Sequence, residues 1–218
     1  MQTRLINRGQ QHLIVYFAGW GTTPDAIKHL TLPINYDLLI CYDYQDLALD
    51  FDFSPYRHMR TVAWSMGVWA AERAMRHIPL LSATAINGTG LPCHDRYGIP
   101  RDIFAGTMAG LNAAARTKFE RRMCADKTVF AQYQQFTARP LENVRQELTA
   151  LDACLQQDMR TDLISWTNSW IGTRDRIFPV ENQLAYWRPR CAYQTADFAH
   201  YPFLSFSTWE QLWTSRQG

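Results

Sequence analysis

The sequence predicts an α/β protein with a mainly parallel central sheet flanked by helices. Short apolar runs recur along the chain, and helix-like stretches, not hairpin turns, separate them. The alternation stops over residues 91–160, where strand signals fade and Ala, Gln, Arg and Glu dominate, and then it resumes. The expected organisation is therefore a core of residues 1–90 and 161–218, interrupted by a helical lid at 91–160.

The elements follow in order. His12–Ala18 is a buried-strand candidate that ends in the turn Gly19-Trp20-Gly21. Thr23-Pro24-Asp25 is a helix start, with Thr as cap and Pro at the first helical position. Tyr36–Tyr42 is a second strand and Met59–Trp64 a third, which runs directly into the Ala-rich helix Val68–His77. Leu80–Asn87 is a fourth strand. After the helical segment come strand Leu163–Ile171, helix Val180–Trp187 and strand Cys191–Asp197. Ser207-Thr-Trp-Glu210 matches a capping box and predicts the start of a last helix there.

Composition narrows the function. With 47% hydrophobic residues and eight Trp among 218 residues, the chain has ample material for a packed core. The longest apolar runs fall well short of the ~20 residues of a membrane span, and the polar start does not read as a secretory signal. Five cysteines, with no C-x-x-C pair and no zinc spacing, predict reduced thiols in a cytoplasmic protein. A net charge of +2 argues against a general nucleic-acid binder. The charges are segregated, however. Gly110–Pro140 carries six basic residues (Arg116, Lys118, Arg121, Arg122, Lys127, Arg139) against two acidic ones, and Leu141–Ser165 carries five acidic against two basic.

The chemistry concentrates at the ends of strands. In Ala63-Trp-Ser65-Met-Gly67 an apolar strand enters Ser65 and a helix leaves it, the arrangement of a nucleophile elbow. Ala63 stands where such elbows usually carry Gly, and it is still small. The same string also suits an ordinary strand-to-helix turn with a capping Ser. A nucleophilic Ser needs a base, and the base needs an orienting acid. Of six histidines, His200 alone sits on a loop at the carboxyl end of the last expected strand. Asp175, in Gly-Thr-Arg-Asp, lies just beyond the preceding strand. Alone it suits a solvated turn, and Asp95 and Asp102 are alternative acids. Together Ser65, Asp175 and His200 stand in the order Ser…Asp…His at the sheet edge where open α/β folds place ligands. Acyl transfer also needs oxyanion donors, each worth about 2.7–4 kcal/mol. The N–H of Met66, next after Ser65, and that of Trp20, in the first strand's glycine turn, are the candidates.

With these elements in place the chain resembles an α/β-hydrolase over nearly its whole length. More narrowly, Phe-Ala-Gly-Trp-Gly (17–21), Ala-Trp-Ser-Met-Gly-Val-Trp-Ala (63–70) and Asp-Phe-Ala-His-Tyr-Pro-Phe (197–203) resemble the BioG family of pimeloyl-[acyl-carrier protein] methyl ester esterases of biotin synthesis. The resemblance implies hydrolysis of a carrier-bound methyl ester to free pimeloyl-[acyl-carrier protein] and methanol. Ser65 would be the nucleophile, His200 the base, Asp175 its orienting acid, and Trp20 and Met66 the oxyanion donors, with no metal or redox cofactor. It also implies acyl-carrier protein as partner.

An acidic carrier with a phosphopantetheine arm would suit an Arg-rich lid, because guanidinium pairs bidentately with phosphate and carboxylate. Arg116, Arg121 and Arg122 are the docking candidates, and Lys118, Arg121 and Arg122 would share one helix face. Trp20, Trp64 and Phe104 are candidates for the pocket wall, Trp64 with core packing as its main role. Two other functions stay open: a small-ester or thioester hydrolase without a carrier, and a catalytically silent fold used for binding.

Overall fold

A computed structural model describes residues 1–214. Among these, seven strands form one sheet: β1 (Gln2–Ile6), β2 (His12–Phe17), β3 (Tyr36–Tyr42), β4 (His58–Trp64), β5 (Ser82–Ile86), β6 (Asn168–Gly172) and β7 (Ala192–Ala196). Their spatial order is β1-β3-β2-β4-β5-β6-β7. Only β1 runs antiparallel, against β3, and every other neighbouring pair is parallel. The sheet is that of the α/β-hydrolase fold. Strands β2, β4, β5 and β6 are covered on both faces, as a parallel sheet requires. In β2, Leu13 to Phe17 are completely buried, each side chain worth about 1.5–3 kcal/mol of burial.

Helix α1 (Gly67–Met75) leaves β4 directly. Helices α2 (Arg101–Ala109), α3 (Ala113–Cys124), α4 (Lys127–Tyr133) and α5 (Leu141–Gln157) all fall between β5 and β6. Helix α6 (Val180–Trp187) joins β6 to β7, and α7 (Glu210–Trp213) follows β7. Caps set the breaks within 91–160. The Asn112 side chain accepts from Ala115 N at 3.0 Å, and Asp126 accepts from Thr128 N and Val129 N at 2.7 and 3.0 Å. Helix α5 buries Val144, Glu147, Leu148, Leu151 and Leu155, one stripe at helical spacing with a carboxylate in its middle. Among the described residues no helix is long and apolar enough to cross a membrane.

Two local expectations are corrected, and one strand carries no signal in the sequence. Strand β1 has no apolar run to announce it. All five of its residues are exposed, and pairing with β3 alone makes it a strand. The expected strand at 163–171 begins only at Asn168, because Ile164 and Trp166 bury their side chains from a loop. Both predicted caps are absent. Pro24–Ile27 is a single 3-10 turn in which Thr23 Oγ1 donates to Thr137 O instead of capping. At the last helix, Gln211 Oε1 accepts from Ser207 N and Thr208 N, and no Ser207 side-chain cap forms.

Candidate active site

Because β2, β4, β6 and β7 are mutually parallel within the sheet, their carboxyl ends share one edge. The site is assembled from the turns at that edge. At the end of β4, Ser65 has φ 59°, in the left-handed region, which non-glycine residues seldom occupy. Its N–H donates to Ile86 O at 3.0 Å and its carbonyl accepts from Val68 N at 3.1 Å, so the turn is pinned to β5 and to α1. Gly67 makes this turn possible. A Cβ there would collide with the Phe17 carbonyl and lie 2.6 Å from Ala18 O.

Past β7, His200 is 1% exposed. Its Nε2 lies 3.0 Å from Ser65 Oγ, and its Nδ1 lies 2.9 Å from Asp175 Oδ2. Asp175, past β6, accepts from Ile177 N and Phe178 N through Oδ1 (2.8 and 3.0 Å) and from Gln183 Nε2 through Oδ2 (3.0 Å). These donors fix the carboxylate, which in turn requires the Nδ1–H tautomer of His200 and leaves Nε2 as an acceptor facing the hydroxyl. The Phe178 ring stacks on the imidazole at 5.8 Å between centroids. Asp95 and Asp102, the alternative acids, stay on the exposed surface, where they accept from Arg101 N and Ile103 N.

Sequence reasoning missed Asn87, at the end of β5. Its side-chain amide donates to the carbonyls of Ala199 and His200 at 2.9 Å each, and its Oδ1 accepts from Gly172 N at 2.7 Å. One carboxamide thereby ties the His200 loop to two strand ends. The left-handed backbone of Asn87 (φ 45°) is the kind of feature a sequence hides unless Gly fills it.

Ser65 and His200 open into a narrow, largely apolar cavity of about 40 Å³, the scale of one or two small groups. Gly19, Trp20, Met66, Trp64 and Phe104 contribute to its wall, so Trp64, although 1% exposed, both packs the core and borders the site. Among the described residues neither Trp20 N nor Met66 N has a protein acceptor. Two cations, Arg122 and Arg176, also reach this wall, and Arg176 carried no signal in the sequence. The described residues contain no cluster of three metal-ligating side chains.

The docking candidates do not behave alike. Arg116 is turned inward, with Nε on Glu120 Oε1 at 2.9 Å and Nη1 on Arg139 O at 2.6 Å. Arg139, counted in the basic surplus, is buried in ion pairs with Asp43 (2.7 Å) and Glu147 (2.6 Å). Arg121 and Arg122 remain exposed, lying over Phe130 and Phe119. Lys118 and Arg122 share a groove between α2 and α3 that adjoins the cavity, while Arg121 faces α4.

A family model described as pimeloyl-ACP methyl esterase BioG matches residues 1–212. The chain belongs to the BioG family. An uncharacterized protein of Haemophilus influenzae is 59% identical over 213 residues, 98% of this chain and 99% of that one. The crystal structure of selenomethionine BioG from the same organism superposes with a TM-score of 0.97 at 58% identity, covering 98% of this chain and 100% of that one. A segment of a malonyl-[acyl-carrier protein] O-methyltransferase of Bacteroides fragilis is 40% identical over 199 residues, 88% of this chain but 40% of that protein. The bromoperoxidase-like BpoC of Mycobacterium tuberculosis shares the fold at a TM-score of 0.64 and 15% identity, covering 94% of this chain and 91% of that one.

Proposed function

We propose that this BioG-family chain is a serine esterase that hydrolyses the methyl ester at the far end of a pimeloyl chain carried by acyl-carrier protein, a step of biotin synthesis. The observation that carries the reading is the hydrogen-bonded series Asp175–His200–Ser65, which ends at a narrow cavity beside two unpaired backbone N–H groups. Residues 91–160 act as the lid over it.

Ser65 Oγ attacks the ester carbonyl while His200 Nε2 takes its proton, and Asp175 stabilises the imidazolium that results. The carbonyl oxygen becomes an oxyanion bound by the N–H groups of Trp20 and Met66. The tetrahedral intermediate collapses, the C–OCH₃ bond breaks, and His200 returns the proton to give methanol. A water then loses a proton to His200 and attacks the Ser65 ester. The carboxylic acid leaves and Ser65 Oγ regains its proton. The cavity is the size of a terminal methyl ester, which suits a chain threaded end-on.

The methyltransferase relative supports a carrier-bound substrate, since transfer of a methyl group to a carrier-bound carboxylate is the class of reaction that would supply one. Arg121 and Arg122 are the cations we assign to the carrier. The five free cysteines fit a cytoplasmic location. The decisive experiment measures methanol release from carrier-bound and free pimeloyl methyl esters with wild type and Ser65→Ala. The expected result is carrier preference and loss of turnover in Ser65→Ala. Equal rates on both substrates would leave a general small-ester hydrolase. Absence of turnover, with no labelling by a fluorophosphonate, would leave a binding module.

A further inference from the structure

The inserted segment does more than cover the site. Helix α5 presents Glu147 from its apolar stripe into the interior, where the side chain is fully buried. Its Oε2 accepts from Gly21 N at 3.0 Å, its Oε1 accepts from Tyr44 N at 3.1 Å, and Arg139 Nη1 donates to Oε2 at 2.6 Å. One turn earlier on the same helix, the Val144 carbonyl accepts from the Trp20 indole Nε1 at 2.8 Å. Residues 144 and 147 thus grip both the side chain of Trp20 and the N–H of the next residue.

Immediately before these grips in the chain lies the Gly19–Trp20 peptide. Its carbonyl accepts from Thr22 Oγ1 at 2.7 Å and from Thr22 N at 3.3 Å. A trans peptide is planar, with its N–H opposite its C=O. Holding the Gly19 oxygen in the turn therefore aims the Trp20 N–H away from Thr22, and Gly19 and Trp20 both border the cavity beside Ser65 and Met66. An oxyanion donor is useful only when fixed before charge develops. The Thr22 clamp, the indole tether and Glu147 together remove the freedom of this peptide to rotate.

We propose that Glu147, held by Arg139, is a positioning residue that orients the Trp20 N–H for the oxyanion, so that the inserted helix α5 is a constitutive part of the active site. The proposal rests on the esterase reading above. Neither Glu147 nor Arg139 touches the substrate. They act through Gly21 and Trp20.

The test compares purified Glu147→Gln, Arg139→Met, Arg139→Lys and Trp20→Phe with wild type on a short methyl ester. A carboxamide has one acceptor oxygen, so Glu147→Gln sets an NH₂ group against Gly21 N–H or Tyr44 N–H. The expected result is a kcat lowered about tenfold to a hundredfold with KM nearly unchanged. Affinity for a trifluoromethyl ketone, which forms the tetrahedral adduct, should fall in parallel. Arg139→Lys should recover most of the rate lost in Arg139→Met, and Trp20→Phe should show a smaller loss of the same kind. Glu72→Gln, which removes another buried carboxylate remote from the loop, serves as control and should keep its kcat. Should Glu147→Gln not fold, Arg139→Met and Trp20→Phe carry the comparison.

Wild-type kcat and unchanged ketone affinity in folded Glu147→Gln would overturn the proposal, as would equal losses in Glu72→Gln. Those results with an inactive Ser65→Ala would leave the esterase reading intact, whereas an active Ser65→Ala would overturn both.

Discussion

The side-chain amide of Asn87 donates to the carbonyl of His200 at 2.9 Å, linking the end of a central strand to the backbone of the residue that faces Ser65. The same amide reaches Ala199 O, and its oxygen receives Gly172 N. His200 O has a second donor in Trp64 Nε1 at 2.8 Å, so Ala199 O and Gly172 N depend more on Asn87. Asn87→Ala leaves both buried and unpaired, at about 1–3 kcal/mol each, and forces Ala into a left-handed backbone at about 1–2 kcal/mol. Urea denaturation should report a loss of about 3–8 kcal/mol, and kcat should fall about tenfold as the His200 loop loosens. Unchanged stability would contradict this account of the loop.

Asp175→Asn tests the tautomer argument. The carboxylate oxygen facing Ile177 N and Phe178 N must accept twice, so the new amide places its oxygen there and its NH₂ toward His200 Nδ1. The imidazole is then driven to carry its proton on Nε2, where it cannot take one from Ser65. By the behaviour of the same substitution in serine proteases, kcat should drop by about 10⁴, while circular dichroism stays native. A loss below about tenfold would mean that Asp175 does not set the tautomer.

Gly88 approaches the elbow from the far side, and a Cβ there would overlap the Ser65 carbonyl and lie 2.8 Å from its Cα. Gly88→Ala must push the strained Ser65 turn aside, and overpacking of this kind costs about 1–3 kcal/mol. The expected readout is a lower Tm together with slower fluorophosphonate labelling of Ser65. Labelling at the wild-type rate would show that the elbow yields without losing its geometry.

What the sequence disclosed, and what it hid, divides by the range of the interactions involved. Ser65 is legible because its signal is local: an apolar run, a small-residue turn and a helix. His200 and Asp175 are legible because each follows a strand in a parallel sheet, which brings distant residues to one edge. Glu147 lies among the acidic residues of 141–165 and Arg139 among the basic ones of 110–140. In sequence both look like solvated charges, and only the tertiary approach of α5 to the β2 turn pairs them. Asn87 and strand β1 are hidden for the same reason. Their roles come from pairing partners and not from their own periodicity.

Arg121 is exposed on α3, and among the described residues its guanidinium lies over the Phe130 ring at 5.3 Å. If the outer face of α3 receives an acidic carrier, Arg121→Glu should raise KM for the carrier-bound ester about tenfold, chiefly through slower encounter. Short-ester kinetics should not change. Raising ionic strength should weaken wild-type selectivity for the carrier in the same direction, because exposed charges are screened over about 8–10 Å. Equal effects on both substrates would remove Arg121 from the carrier surface.

Glu72 supplies a pH prediction remote from the proposed chemistry. Its side chain is fully buried on α1, accepts from Trp166 Nε1 at 2.9 Å and lies 3.4 Å from Arg73 Nη1. Burial pushes its carboxyl up to about 7 from an ordinary value of 4.5, against the pull of Trp166 and Arg73. Between those two values the folded chain holds a proton that the unfolded chain has released, so stability falls as pH rises through this window and levels off above it. Below 4.5 both states are protonated and this contribution is fully present. Glu72→Gln keeps an acceptor for Trp166 and cannot ionise. Its stability should therefore vary less than wild type between about pH 5 and 7, and exceed wild type at pH 8 by a few kcal/mol. Urea midpoints at pH 5 and pH 8 measure the difference, and parallel pH profiles for the two proteins would show that Glu72 is ionised throughout.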